Sequence, residues 1–140
     1  MEAKWVETTL RVRYAETDAM GVVYYGRYLE WFEVGRSEFM RVGGFPYSRL
    51  EAEGVFLPVV EVRCRYRRPA RYDDLVTVRT AVAAVTPVRL TIVYEIRREG
   101  ELLAEGSTEH AFVDAQGRPL NLQRTRPDLW QVLVAVVSGT

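Results

Sequence analysis

From Tyr25 to about Val42 the sequence carries a helical pattern with too much apolar surface for a helix that lies on one flat face. Placed at about 100° intervals, Tyr28, Leu29, Trp31, Phe32, Gly35, Phe39, Met40 and Val42 fall in an arc of roughly 180°, so the helix must be covered on more than one side. The segment RVGGFP closes it with glycines and a proline. Alternating runs surround this helix in sequence. Before it, Val6, Thr8, Leu10, Val12 and Tyr14 alternate with Glu7, Thr9, Arg11 and Arg13, the period of a strand with one buried face. After it come the sets Val60–Tyr66, Val76–Val82, Val88–Ile96 and Leu102–Phe112, each with apolar residues at every second position. The connectors RPARYDD, AAVTP and REGE are short and rich in turn residues, as hairpin connections are. DAQGRP is a further turn, and RPDLWQVLVAVV reads as a short C-terminal helix with Pro127 in its first turn. Strand, long apolar helix, then four strands predicts an α+β arrangement in which a five-stranded antiparallel sheet wraps a central helix.

Size and charge narrow the function classes. A chain of 140 residues without internal repeats or linker-like segments is expected to be one domain, 1–140, able to bury its core without staples. Its 19 basic and 19 acidic residues cancel, which removes the electrostatic reason to expect nucleic acid as partner. The single cysteine, Cys64, cannot form an internal disulfide, in keeping with a reducing cytoplasm. The start MEAKWVETTL has no basic region followed by an apolar run, so no signal peptide is expected. VLVAVV is too short to span a bilayer, and no membrane insertion is expected.

Several side chains carry chemistry in more than one sense. Asp18, in the turn ETDAMG between strand and helix, reads on its own as an ordinary turn aspartate. Glu33 and Arg36 stand at i and i+3 near the apolar arc and are expected to pair. His110 lies in the inward phase of its strand with no second ligand at metal spacing, so it reads as a hydrogen-bonded core residue, and no metal is expected. Cys64 sits in an apolar phase without a His or Asp motif and reads as packing. No G-x-S-x-G nucleophile motif occurs.

The stretch RVRYAETDAMGVVYYGRYLEWFEVGRSEFMR, followed by RYRRPARYDD and HAFVDAQGRP, resembles the hotdog-fold acyl-CoA thioesterases of the 4-hydroxybenzoyl-CoA and Tol-Pal-associated branches. The resemblance covers about residues 8 to 120. It implies the hotdog fold and hydrolysis of an acyl-CoA to a free acid and coenzyme A, without a cofactor. Asp18 becomes the catalytic carboxylate, as nucleophile or as general base. Tyr25 supplies the polarising backbone N–H and Gly21 the tight turn. Several relatives carry His where Tyr25 stands, a change that a backbone donor survives. Some hotdog thioesterases use a helix carboxylate, which keeps Glu33 as a second candidate base or substrate contact.

Subunits of this family join their sheets and build sites between them, implying a homodimer or homotetramer. The arginines Arg63, Arg65 and Arg67, with Arg68 and Arg71, then read either as phosphate ligands for coenzyme A, chiefly Arg65, Arg67 and Arg68, or as a solvated strand face. Trp31, Phe56 and Leu57 are candidates for shaping the acyl cavity. A hotdog hydratase fits less well, since its chemistry needs a poised His and acid, and the one histidine comes late in the chain. A non-catalytic acyl-CoA-binding module is the alternative from another class.

Overall fold

The computed structural model describes residues 4–138. Met1 to Ala3, part of the stretch read for a signal peptide, lie outside the described residues. Strand β1 (Trp5–Arg11) leads through a short 3-10 turn (Tyr14–Glu16) to helix α1 (Arg27–Val42) and the short helix α2 (Tyr47–Ala52). Four strands follow, β2 (Val59–Tyr66), β3 (Leu75–Val85), β4 (Arg89–Arg98) and β5 (Glu101–Ala111). Helices α3 (Leu122–Thr125) and α4 (Pro127–Ser138) complete the described chain. The sheet runs β1-β3-β4-β5-β2, and all neighbours are antiparallel. The expected α+β architecture is therefore present.

The core forms where α1 enters the concave face of this sheet. Tyr28, Trp31, Phe32, Gly35, Phe39 and Met40 are buried, opposite Val76, Val78, Leu90, Ile92, Tyr94 and Ile96. Two glycines let the backbones come close. A methyl group at Gly35 would collide with Val78 and Thr80, and one at Gly106 with the Arg63 carbonyl and the Phe32 ring. Phe32 stacks on Tyr94 with centroids 4.3 Å apart and planes within 9°. Leu29 and Val42, both in the expected apolar arc, remain exposed, so the cover is complete only along the middle of α1. Helix α4 lies on β3 and buries Leu129 and Leu133.

Four local expectations change. Strand β1 stops at Arg11 and not at Tyr14, because the backbone turns there and Arg13 N–H donates to the Glu16 carboxylate at 2.8 Å. Helix α1 begins at Arg27, two residues later than its sequence pattern, with Gly26 as its cap. Helix α2 has a single buried residue, Leu50, and its six residues are too few for a periodic signal. The apolar set of β2 is not buried: Val60, Val62 and Tyr66 are 48%, 42% and 44% exposed. The strand is the free edge of the sheet, and a bulge lies between Val59 and Glu61.

The close approach at Gly106 yields a test. Gly106→Ala places a methyl group 2.9 Å from Phe32 ring atoms as well as against rigid backbone, and should destabilise the fold by about 1–3 kcal/mol. Urea unfolding followed by tryptophan fluorescence measures this, with Gly43→Ala, at a φ of -75° and with an added methyl no closer than 3.5 Å to its neighbours, as a control for loss of glycine without a collision.

Candidate active site

The segment between β1 and α1 folds back on itself as a small hairpin. Thr17 bridges Val23, Asp18 N–H donates to Val22 O at 2.9 Å, and Gly21 N–H donates to Asp18 O at 3.0 Å. Gly21 has φ of 78°, a left-handed conformation that suits glycine, as the expected tight turn requires. The half-buried Asp18 accepts one hydrogen bond from Met20 N–H at 2.9 Å through Oδ1. Its other oxygen receives no donor among the described residues, and no cation pairs with it.

Two features fix this hairpin to the start of α1. Tyr24 N–H donates to Glu16 O at 2.9 Å. The Tyr66 hydroxyl donates to Tyr25 O at 2.8 Å, which holds the Tyr25–Gly26 peptide in place. The N–H groups of Tyr25 and Gly26 donate to no acceptor among the described residues. They belong to the helix-start donors that carry partial positive charge. Asp18, Tyr25, Tyr28, Tyr66, Arg67 and Arg68 line one cleft of about 360 Å³. Asp18, with a free carboxylate oxygen, and Tyr25, whose N–H is unused, thus border the same space.

Residues 12–135 match the thioesterase-like superfamily. The chain belongs to that superfamily. Its fold is the hotdog fold. The chain is 34% identical over 106 residues to the acyl-CoA thioester hydrolase YbgC of Escherichia coli O157:H7, covering 75% of this chain and 79% of that protein. It is similar to the DHNA-CoA thioesterase structure from Staphylococcus aureus, with a TM-score of 0.91, 36% identity, and 96% and 91% of the two chains covered. A structure of the Thermus thermophilus protein TT1821 superposes with a TM-score of 0.88 at 39% identity, covering 95% and 98% of the two chains.

In this thioesterase-like chain the arginine ladder divides. Arg67 pairs with Glu105 at 2.8 Å and Arg68 with Glu101 at 3.2 Å, and both border the Asp18 cleft. Arg63 pairs with Glu61 at 3.1 Å. Arg63 and Arg65 line a separate depression beside Glu95 and Glu105, away from Asp18. Arg71 forms a backbone bridge with Val22, next to the hairpin.

Glu33 is exposed and does not border the Asp18 cleft. The expected Glu33–Arg36 ion pair is absent, with no N–O approach within 4.0 Å, because Arg36 turns inward beside Tyr47 and Tyr94. Glu33, Arg36, Phe56 and Leu57 instead line a second cavity of about 570 Å³. Trp31 shapes no acyl cavity directly; it is buried and donates its indole N–H to Glu16 at 2.9 Å.

His110 is fully buried, and its Nδ1–H donates to the Leu57 carbonyl at 2.9 Å, since a carbonyl can only accept. Burial lowers its pKa, so the ring is neutral near pH 7 and accepts at Nε2 from the Thr108 hydroxyl at 2.8 Å. The half-buried Cys64 thiol is pushed up by burial, which leaves it a poor nucleophile. No group of three or more His, Cys, Asp or Glu side chains suited to a metal occurs among the described residues. None of their helices is long and apolar enough to cross a membrane.

Glu16 is the residue that sequence reasoning missed, since nothing in its spacing separates it from a surface acid. Burial alone would raise its pKa, but the hydrogen bonds from Arg13 N–H and the Trp31 indole, with the Arg13 charge, hold it below its ordinary 4.5. The folded state therefore binds this proton less readily than the unfolded chain. Its contribution is complete above the unfolded value and is lost as pH falls through the folded one. Glu16→Gln should cost about 1–3 kcal/mol at pH 7 and flatten the loss of stability on acidification below the ordinary 4.5 of Glu16, read from urea melts over a pH series that runs from neutral to well below that value. A parallel acid limb in both proteins would disprove the role of Glu16.

Proposed function

We propose that this chain is an acyl-CoA thioesterase, folded as one hotdog domain over 1–140. It hydrolyses its substrate to a carboxylic acid and coenzyme A. The observation that carries this reading is that Asp18, with one uncommitted carboxylate oxygen, and Tyr25, with an unused N–H next to that of Gly26, border one cleft. The thioester carbonyl points its oxygen at these N–H groups, which stabilise the oxyanion as it forms. Asp18 either attacks the carbonyl carbon or takes a proton from the attacking water. The C–S bond then breaks and the coenzyme A thiolate leaves, to be protonated by solvent; on the nucleophilic route the acyl group stays on Asp18 as a mixed anhydride, which water cleaves to the free acid and the Asp18 carboxylate. The hydrogen bond from Tyr66 to the Tyr25 carbonyl polarises the adjoining Gly26 N–H, which adds a donor to the expected Tyr25 N–H.

The superfamily and its named relatives support the reaction, and the cleft supports the choice of residues. Arg67 and Arg68 are suited to the coenzyme A phosphates at the rim of the cleft. Arg65 is a poorer candidate because it borders a different depression. The free edge of β2, with exposed Val60 and Val62, suits antiparallel pairing with a second copy. We therefore read the enzyme as a homodimer, or two such dimers, acting in the cytoplasm. A binding module without catalysis would keep acyl-CoA affinity and show no turnover.

Asp18→Asn keeps the turn but removes the charge, and should lower kcat by a factor of about 10² or more while acyl-CoA still binds. Glu33→Gln should be much milder. Single-turnover hydrolysis with sedimentation velocity measures both, and an assembled Asp18→Asn protein with most of its rate would end this mechanism. The phosphate assignment is tested separately. Arg67→Ala or Arg68→Ala should raise KM for an acyl-CoA roughly tenfold while leaving an acyl-pantetheine, which lacks the nucleotide, nearly unchanged. Equal effects on both thioesters would assign these arginines to the sheet.

A further inference from the structure

Glu16 is a buried acid with more ties than stability alone requires. It is 4% exposed, and each carboxylate oxygen accepts from one donor, Oε1 from Arg13 N–H at 2.8 Å and Oε2 from the Trp31 indole at 2.9 Å. Its main chain is committed as well, since its carbonyl accepts from Tyr24 N–H at 2.9 Å. One residue thus joins the chain just past β1, the second turn of α1 and the residue immediately before the unused Tyr25 N–H. Burying a carboxylate is costly, and well-packed apolar side chains of similar volume often stabilise a fold as well or better. What an apolar contact lacks is a fixed direction. Two hydrogen bonds, one from the backbone and one from an indole buried against Tyr28 with ring centroids 4.8 Å apart, hold Glu16 in one place.

The two legs of the Asp18 hairpin are attached to different parts of the protein. The second leg is held by the loop between β2 and β3, through Val23 N–H to Ala70 O at 2.9 Å and the bridge of Val22 with Arg71. The first leg, which carries Asp18 two residues beyond Glu16, meets α1 through the Glu16 carboxylate and through Arg27, which reaches the Ala15 carbonyl at 3.5 Å. The turn itself points outward, with Met20 82% exposed. Asp18 is therefore held from the base of its hairpin, and Glu16 is that base.

We propose that Glu16 is a positioning residue for thioester hydrolysis, which sets the Asp18 carboxylate against the Tyr25 N–H by holding the first leg of the hairpin to Trp31. This rests on the thioesterase reading. Only a carboxylate suits the position, because both groups that face it are N–H donors. A glutamine keeps the shape but turns its own amide N–H toward one of them. The displaced leg then carries Asp18 off the line of attack, and a shift of about 1 Å is enough to slow a reaction by up to about 10². The rest of the cleft keeps its own anchors: the Tyr66 hydroxyl still holds the Tyr25 carbonyl, and Glu105 and Glu101 still hold Arg67 and Arg68.

The test is a double-mutant cycle with Asp18 in the full chain, read by steady-state and single-turnover hydrolysis of the acyl-CoA that the wild type cleaves fastest. Glu16→Gln, under conditions where its urea melt shows it folded, should lower kcat at least roughly tenfold with KM nearly unchanged. In an Asp18→Asn background the same change should lower the residual rate hardly at all, since the group that Glu16 positions has already lost its charge. A residue that only stabilises the fold leaves kcat of the folded protein at the wild-type value. One that shapes the backbone donors or the cleft slows Asp18→Asn by the same factor again. Either outcome overturns the proposal, as does a rise in KM with kcat unchanged. Where Glu16→Gln does not fold, Trp31→Phe decides by the same two readings, because it keeps the carboxylate and a buried ring and removes only the indole donor. A folded Trp31→Phe protein with wild-type kcat overturns the positioning role. Absence of turnover of any acyl-CoA by the wild type would end the thioesterase reading itself, whereas wild-type turnover with an undiminished Glu16→Gln removes only the assignment of Glu16.

Discussion

The close packing of α1 into the sheet at Gly35 and Gly106 is the constraint on which the site depends. With no side chain at either position, Phe32 can lie flat on Tyr94 and the helix sits deep in the sheet. A helix held that deep cannot slide, because any shift brings a side chain against backbone. Its start is then fixed relative to β2 and to the loop after it. That is why Tyr66 can reach the Tyr25 carbonyl at 2.8 Å and Ala70 N–H can reach the Tyr28 hydroxyl at 3.2 Å. Both contacts are long-range in sequence, and both fix the end of the helix where the free N–H groups stand.

The same depth explains which parts of the molecule were legible in the sequence. A wide apolar arc on one helix required a wrapping sheet, and the alternation of β3, β4 and β5 supplied it, because these strands are covered by the helix on one face. The alternation of β2 looked identical. Its apolar residues nonetheless remain exposed, because alternation reports which residues share a face and says nothing of whether the strand is central or at an edge. Asp18, Gly21 and Tyr25 were readable through a motif, and the structure brings all three to one loop and helix start. Glu16 was not readable. Its role depends on Trp31, fifteen residues away, and on a turn that replaced the expected end of β1. Gly106 carried a signal that went unused, since a glycine inside a strand commonly marks a close backbone approach.

Arginine in this chain is mostly occupied, which gives the exceptions their meaning. On the sheet Arg79 pairs with Glu7 at 3.0 Å and Glu95 at 2.6 Å, and Arg97 shares Glu95 at 3.0 Å. Arg98 bridges Asp74 and Glu101, each at 2.7 Å. Individually such partly exposed pairs contribute little to stability. Together they balance the charge of the sheet and hold guanidinium groups in defined places, so the ladder read from alternation becomes a set of separate sites. Arg67 and Arg68 keep carboxylate partners while bordering the cleft, and a phosphate would compete with or join those carboxylates. Arg36 makes no such pair among the described residues, although Glu33, Glu51 and Asp114 border the same cavity.

Two buried polar groups, His110 and Glu16, are coupled to folding, and proton linkage acts on them in the same direction at different pH. His110 is held neutral in the fold by burial, so acidification below its ordinary 6.5 favours the unfolded chain, which takes up that proton more readily. Glu16 is held ionised in the fold, and its contribution is lost only below its ordinary 4.5. Mild acid therefore acts first through His110, in the chain that runs from Leu57 through His110 and Thr108 to Tyr94. The latch between Glu16 and Trp31, which holds the Asp18 hairpin, yields only at lower pH. The cause is simple: a neutral imidazole and an ionised carboxylate were chosen to do the same structural task, and their ordinary pKa values differ by about two units.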